Sequence, residues 1–107
     1  MSNKTINVAE DFSRYPAGRY YDDGPYSGQK FREEYLVPVI TNNEKAIINL
    51  DGVRGYGSSF LEEAFGGLVR EGHTVNLILN TFTLNSSDSS LTLEIKDYIE
   101  HGSDSNM

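Results

Sequence analysis

The sequence predicts an α/β domain built on a mostly parallel sheet. Three observations carry that expectation. Apolar runs short enough for buried strands, Ala46-Ile47-Ile48-Asn49-Leu50 and Val75-Asn76-Leu77-Ile78-Leu79, alternate with longer segments of helical period. One such segment places Phe60, Leu61, Ala64, Phe65, Leu68 and Val69 in an i, i+3, i+4 stripe. Glycine, proline, serine and asparagine punctuate the boundaries, and 107 residues suit one domain with one modest core.

The elements follow in order. Thr5 to Phe12 alternates, with Ile6 and Val8 on one face, and reads as a first strand. Ser13 to Gly28 gathers turn formers and aromatics, including Pro16, Gly18 and Asp22-Asp23-Gly24-Pro25. Asp23-Gly24 is a hairpin signal, which makes Arg19-Tyr20-Tyr21 a second, short strand. From about Gln29 to Val37, the residues Phe31, Tyr35 and Leu36 recur at helical spacing, and Pro38 limits that helix, although Val39 and Ile40 extend its apolar stripe. Thr41 to Lys45 is a polar loop. Ala46 to Leu50 is a buried strand, and the striped helix after it ends where Gly72 occupies a C-cap position. Val75 to Leu79 is a further buried strand. Thr81 to Ser90 is a Ser-rich loop with Phe82 and Leu84 as anchors. A last helix, Ser89 to Glu100, packs Leu91, Ile95, Tyr98 and Ile99, and Gly102 ends it. The domain is expected over residues 1–102, with a flexible tail over 103–107.

Composition removes several function classes. Hydrophobic residues make up 37%, above a disordered chain and below a membrane protein. No apolar run approaches the ~20 residues that span a bilayer. Met1 to Thr5 lacks the apolar stretch of a signal peptide. There is no cysteine for a disulfide or a thiolate metal site. A cytoplasmic location and no cofactor are therefore expected. Nine basic residues stand among sixteen acidic ones, for a net charge of −7. That balance argues against nucleic acid and against anionic membranes. A protein partner with a neutral or basic docking face fits it better, and a homo-oligomer is compatible with it.

The chemistry-bearing stretch is Gly55-Tyr56-Gly57-Ser58-Ser59 and the helix start that follows. It places two hydroxyls at a helix N-terminus, where backbone N–H groups and the dipole favour negative charge. In one reading Ser59 and Glu62 form a capping box and Ser58 merely precedes the cap. In the other Ser58 is a regulatory hydroxyl that gains about −1.5 to −2 charges on phosphorylation. No Gly-Lys-Ser/Thr follows, so this is not a P-loop, and Ser27-Gly28-Gln29-Lys30 has the wrong spacing for one. Gly66-Gly67 inside the helix costs about 1 kcal/mol per glycine, which close packing against a neighbouring element or a partner helix would offset.

Glu62 and Glu63 point ~100° apart on a helix, so they do not converge on one substrate atom, and a solvated face is expected for them. His73 and His101 are far apart, with no clustered ligand spacing, so no metal is expected. Arg14, Arg19, Arg32, Asp22, Asp23 and the tyrosines 15, 20, 21 and 26 surround Ser27-Gly28. Tyr and Arg are common at binding hot spots. The alternative is a hairpin and a helix start held by Arg–Asp pairs.

The strand, turn, double serine and helix resemble the signature of STAS domains, the anti-sigma-factor-antagonist fold. Gly57-Ser58-Ser59-Phe60-Leu61 stands where those domains have Asp-Ser-Ser-Gly-Leu, with Gly57 in place of the aspartate and Phe60 in place of the glycine. The longer string Gly18-Arg19…Asp23-Gly24-Pro25-Tyr26-Ser27-Gly28…Phe31-Arg32-Glu33-Glu34, then Ser59-Phe60-Leu61-Glu62-Glu63-Ala64-Phe65-Gly66-Gly67-Leu68, resembles the STAS-like family of unknown function, whose members are small bacterial and phage proteins. Some are encoded beside, or fused to, histidine-kinase-type ATPase domains. The resemblance implies a four- or five-stranded mixed sheet with about three helices, mainly on one face. It implies a non-catalytic signalling module whose partner, a GHKL-type ATPase or kinase, phosphorylates the first serine of the pair, here Ser58.

The partner surface expected from these readings comprises Gly55, Tyr56, Gly57, Glu62, Glu63, Arg19, Tyr26 and Arg32. The second function class is a nucleotide or small-anion sensor using the helix N-terminus after Gly57. An enzyme ranks last, because no nucleophile, base and oxyanion site converge in the sequence.

Overall fold

The computed structural model describes residues 3–104. Three strands, β1 (Asn3–Asn7), β2 (Lys45–Asn49) and β3 (Phe82–Asn85), form one parallel sheet in the order β1-β2-β3. Five helical segments accompany it among the described residues. They are α1 (Val8–Phe12, a single π turn), α2 (residues 28–41), α3 (residues 58–70), α4 (Val75–Thr81) and α5 (Ser89–Glu100). This replaces the expected four- or five-stranded mixed sheet with about three helices. Of the expected tail, residues 103–104 belong to a 3-10 turn, Gly102–Asp104. Residues 105–107 lie outside the described residues, as do residues 1–2.

Each difference from the sequence reading has a local cause. β1 stops at Asn7 because the Asp11 carboxylate accepts the Asn7 N–H at 2.8 Å and the Ser13 N–H reaches Val8 O. The chain thereby turns and delivers Phe12 to the aromatic core. Arg19-Tyr20-Tyr21 does not become a strand. The Asp23 carboxylate accepts the N–H groups of Arg19 and Tyr20 at 3.0 and 2.8 Å, winding Tyr21–Asp23 into a 3-10 turn. Pro38 does not end α2. The Val37 N–H bonds Arg32 O in a widened π turn just before Pro38, so the helix is already open where the residue without an N–H enters.

The largest correction concerns Val75 to Leu79, which is helix α4 and not a strand. The Thr74 hydroxyl caps it by accepting the Leu77 N–H. A strand would put Val75, Leu77 and Leu79 on one face. Instead Ile78 is fully buried and Leu77 is 43% exposed, the pattern of a helix. The edge strand is the next segment, Phe82–Asn85, within the stretch expected to be a polar loop.

Period-two alternation sends Ile6, Ala46, Ile48 and Phe82 into the core and leaves Thr5, Lys45, Ile47, Thr83 and Asn85 exposed on the opposite face. The helices therefore cover one face of the sheet. Phe12, Phe31, Tyr35, Phe60 and Phe65 meet beneath α2 and α3, with ring centroids between 5.1 Å (Phe12–Phe31) and 6.4 Å (Phe31–Phe65). Each fully buried phenylalanine contributes about 1.5–3 kcal/mol. α2 and α3 approach backbone to backbone: a Cβ on Gly28 would strike the Phe60 carbonyl.

Among the described residues no helix is long and apolar enough to cross a membrane.

Candidate functional site

Two neighbouring arrangements arise from the residues singled out above. The first is an ion-pair knot. Glu62 and Glu63 sit in the π turn Glu62–Gly66 of α3, and both accept from Arg19 Nη1, at 2.5 and 3.2 Å. Arg70, two turns along α3, donates to both Glu62 oxygens at 2.6 and 3.1 Å and to Glu63 at 3.2 Å. Arg32 crosses from α2. Its Nη1 donates to Glu63 Oε2 at 2.8 Å and to the Glu63 carbonyl at 2.5 Å, and its Nε to Glu71 at 2.6 Å.

Arg32 and Glu63 are buried, at 5% and 6% exposure. Neither glutamate lies on the expected solvated face, and the two do converge, on shared guanidinium groups. Burial alone would raise the Glu62 pKa, but the hydrogen bonds from Arg70 and Arg19 outweigh it and hold the carboxyl below its ordinary range. The Glu62 bond pushes the Arg70 guanidinium further up.

The knot explains the paired glycines. A Cβ on Gly67 would collide with the Arg32 guanidinium, and one on Gly66 would lie 2.6 Å from Glu62 Oε2. The predicted close packing is thus against an arginine of α2. The Arg–Asp pairs expected to hold the tyrosine loop are absent among the described residues: Arg19 engages glutamates, while Asp23 serves backbone N–H groups. Ser27 is a buried N-cap that accepts from Lys30 N–H at 3.2 Å. Of the eight residues expected on a partner surface, Arg19, Arg32, Glu62 and Glu63 are committed to one another.

The second arrangement lies at the carboxyl end of the sheet. α3 begins at Ser58 with Gly57 in the N-cap position, and no described side chain caps it. Ser59 is the second helical residue rather than the cap, because its capping-box partner Glu62 is held by Arg19 and Arg70. Gly55, Gly57, Ser58 and Ser59 are exposed, and Tyr26 stands 41% exposed in the loop beyond. Tyr56 is half-buried; its hydroxyl donates to Leu50 O at 2.8 Å, and burial pushes its pKa up.

This turn borders a cleft of about 530 Å³, lined by the segment after β2 (residues 50–56), the segment after β3 (residues 86–88) and the first turns of α5. The cleft opens outside the carboxyl ends of β2 and β3, the end of a parallel sheet at which α/β proteins bind ligands, although the order β1-β2-β3 has no point where the strand order reverses. Its polar groups are Asp51, Asp88, Glu94 and the hydroxyls of Ser86, Ser87 and Ser90. Asp51 accepts from the Ser87 N–H and hydroxyl at 3.0 and 3.1 Å. Asp88 caps α5, accepting from the Ser90 hydroxyl at 2.6 Å and N–H at 3.0 Å, which lowers its pKa. Glu94 accepts from Tyr98 at 2.6 Å; burial and that bond push the Tyr98 phenol up to about 12. Among the described residues no Lys or Arg pairs with these three acids.

The sequence reading missed the cleft, because its walls come from three separated segments. The available signals were Asp51-Gly52 directly after a strand and Asp88-Ser89-Ser90 as a helix start.

At the far end of α5, donor atoms of Asp97, Glu100 and His101 come within 4.8 Å of one another, all exposed. His101 is held there by Asp104 at 3.0 Å and Asp97 at 3.4 Å, which together raise its pKa.

A family model for the STAS-like domain of unknown function (DUF4325) matches residues 27–91, from the Ser27 cap through both helices of the knot to the first turn of α5. Searches of curated proteins and of solved structures returned no match. The matched span covers more than half of the sequence and holds the whole double-serine turn, so the chain belongs to the family of STAS-like domains of unknown function.

Proposed function

We propose that this domain is a non-catalytic regulatory module that docks a protein partner at the carboxyl edge of its sheet, with Ser58 as the phosphorylated switch. The observation that carries this reading is the pairing of an exposed Gly55–Ser59 turn with an acidic cleft whose carboxylates have no basic partner among the described residues. A partner segment bearing a Lys or Arg side chain supplies the missing charge, and the turn packs over it. A GHKL-type ATPase or kinase is the partner class the family resemblance favours. The docking surface is Gly55, Tyr56, Gly57 and Ser58 with the cleft, while Glu62, Glu63, Arg19 and Arg32 hold the tyrosine loop and Tyr26 in place behind it.

Ser58 fits a switch because it is exposed at the first helical position, where added negative charge is tolerated. A phosphate there leaves the fold intact and obstructs a partner that must bury it. The cleft itself disfavours a nucleotide, since three carboxylates repel phosphate.

The test is an affinity pulldown with wild type and Ser58→Asp, read by mass spectrometry for the partner and for phosphate on Ser58. Wild type is expected to retain a partner that the variant loses, at unchanged melting temperature. Equal recovery by both would sink the switch.

A further inference from the structure

The outer edge of β3 belongs to neither the knot nor the docking surface. β3 ends the sheet, with β2 on one side and no strand on the other among the described residues. Asn85 O accepts from the Leu50 N–H at 2.9 Å, so Thr83 and Asn85 turn their backbone groups toward β2 and the residues between turn theirs away. The Phe82 N–H already bonds Ile78 O at the end of α4. The outward groups left over are the C=O of Phe82 and the N–H and C=O of Leu84, a template for one more strand.

Beside this edge lies a groove of about 340 Å³ between α4, β3 and α5, lined by Ile78, Leu79, Phe82, Leu84 and Ile99. Its one charged residue is Lys96, which is exposed and has no carboxylate within ion-pair distance among the described residues. The neighbouring acids of α5 are turned elsewhere. Glu94 lines the acidic cleft, and Asp97 faces His101.

We propose that this edge takes an extended segment of a protein partner, with apolar side chains at alternate positions and one Asp or Glu. Each feature selects part of that occupant. A partner residue opposite Thr83 donates its N–H to Phe82 O and accepts from the Leu84 N–H, which requires an extended backbone. The residues on either side of it point to the helical face and fill the apolar groove. The carboxylate meets Lys96, whereas a basic segment is drawn to the acidic cleft instead.

Selection of random short peptides displayed on phage, against the full chain, tests this. Enriched sequences are expected to alternate apolar residues and to carry Asp or Glu. Such a peptide should shift the Leu84 amide signal in NMR spectra, and Lys96→Glu should weaken its binding by about three- to tenfold. Lys96 is exposed, and an unchanged melting temperature establishes that the variant is folded. Enrichment of Lys- and Arg-bearing peptides alone overturns the proposal while leaving the acidic cleft as a docking site. No enriched peptide, or peptides that leave the Leu84 amide unmoved, also overturn it. So does a Leu84 signal that moves with protein concentration in the absence of peptide, because a second copy then holds the edge.

Discussion

Two groups of three carboxylates in this domain meet opposite circumstances. Glu62, Glu63 and Glu71 each face at least one of Arg19, Arg32 and Arg70. Asp51, Asp88 and Glu94 face hydroxyls and N–H groups. The first group is closed, partly buried and electrically balanced, so the net charge of −7 resides elsewhere in the chain. The second is open and borders the cleft of about 530 Å³. The difference separates two jobs that acidic residues perform. Buried and paired, they fix geometry, since the cost of desolvating a buried pair leaves little net stability but penalises a missing partner heavily. Exposed and unpaired by cations, they leave a charge for another molecule to neutralise.

The comparison breaks first at Glu63. Glu63→Ala takes from the Arg32 guanidinium, only 5% exposed, its buried carboxylate partner and leaves it Glu71 and the residue-63 carbonyl, so about 1.5–3 kcal/mol of unfolding free energy should be lost in urea titration. A loss below about 1 kcal/mol would show that water reaches Arg32 and that the knot is not closed. Gly67→Ala comes next. Helix propensity alone predicts a gain of about 1 kcal/mol, whereas the collision with Arg32 predicts a net loss of about 1–3 kcal/mol. Combining it with Arg32→Ala should recover part of that loss, because the two changes couple through contact; simple additivity would separate the glycine from the knot.

The smallest effect is expected in the cleft. Asp51→Asn, Asp88→Asn and Glu94→Gln together remove three negative charges and keep hydrogen-bonding groups, Asn being as good an N-cap as Asp. Stability should change by less than about 1 kcal/mol. A large loss in thermal unfolding would make the cleft acids structural, like those of the knot.

The resemblance rested on two stretches, residues 18–34 and residues 47–68; the structure puts Ser58, not the residue after a Ser59 cap, at the first helical position and leaves Gly55, Gly57, Ser58 and Ser59 exposed. The helical stripe of α3, the Gly72 terminus and the full extent of α5 were legible because their periodicity and caps are local. The extra helix α4 was not. Five apolar residues in a row satisfy both a strand and a helix, and only the Thr74 cap and the burial of Ile78 beside an exposed Leu77 decide between them. The convergence of Glu62 and Glu63 was illegible for another reason. Ideal helix geometry sends adjacent side chains apart, and it took a π turn, Arg19 from a distant position and Arg70 two turns along the same helix to draw them together.

By itself the sequence determined the α/β class, the family, the strand β2, the striped helix and the absence of thiol chemistry, since each follows from composition or short-range pattern. The tertiary structure decided the number and position of the strands, which glycines admit Arg32, and which acids are paired and which stand open. Those depend on contacts between residues 30 to 45 positions apart, where charge and close packing act and local propensity carries no information.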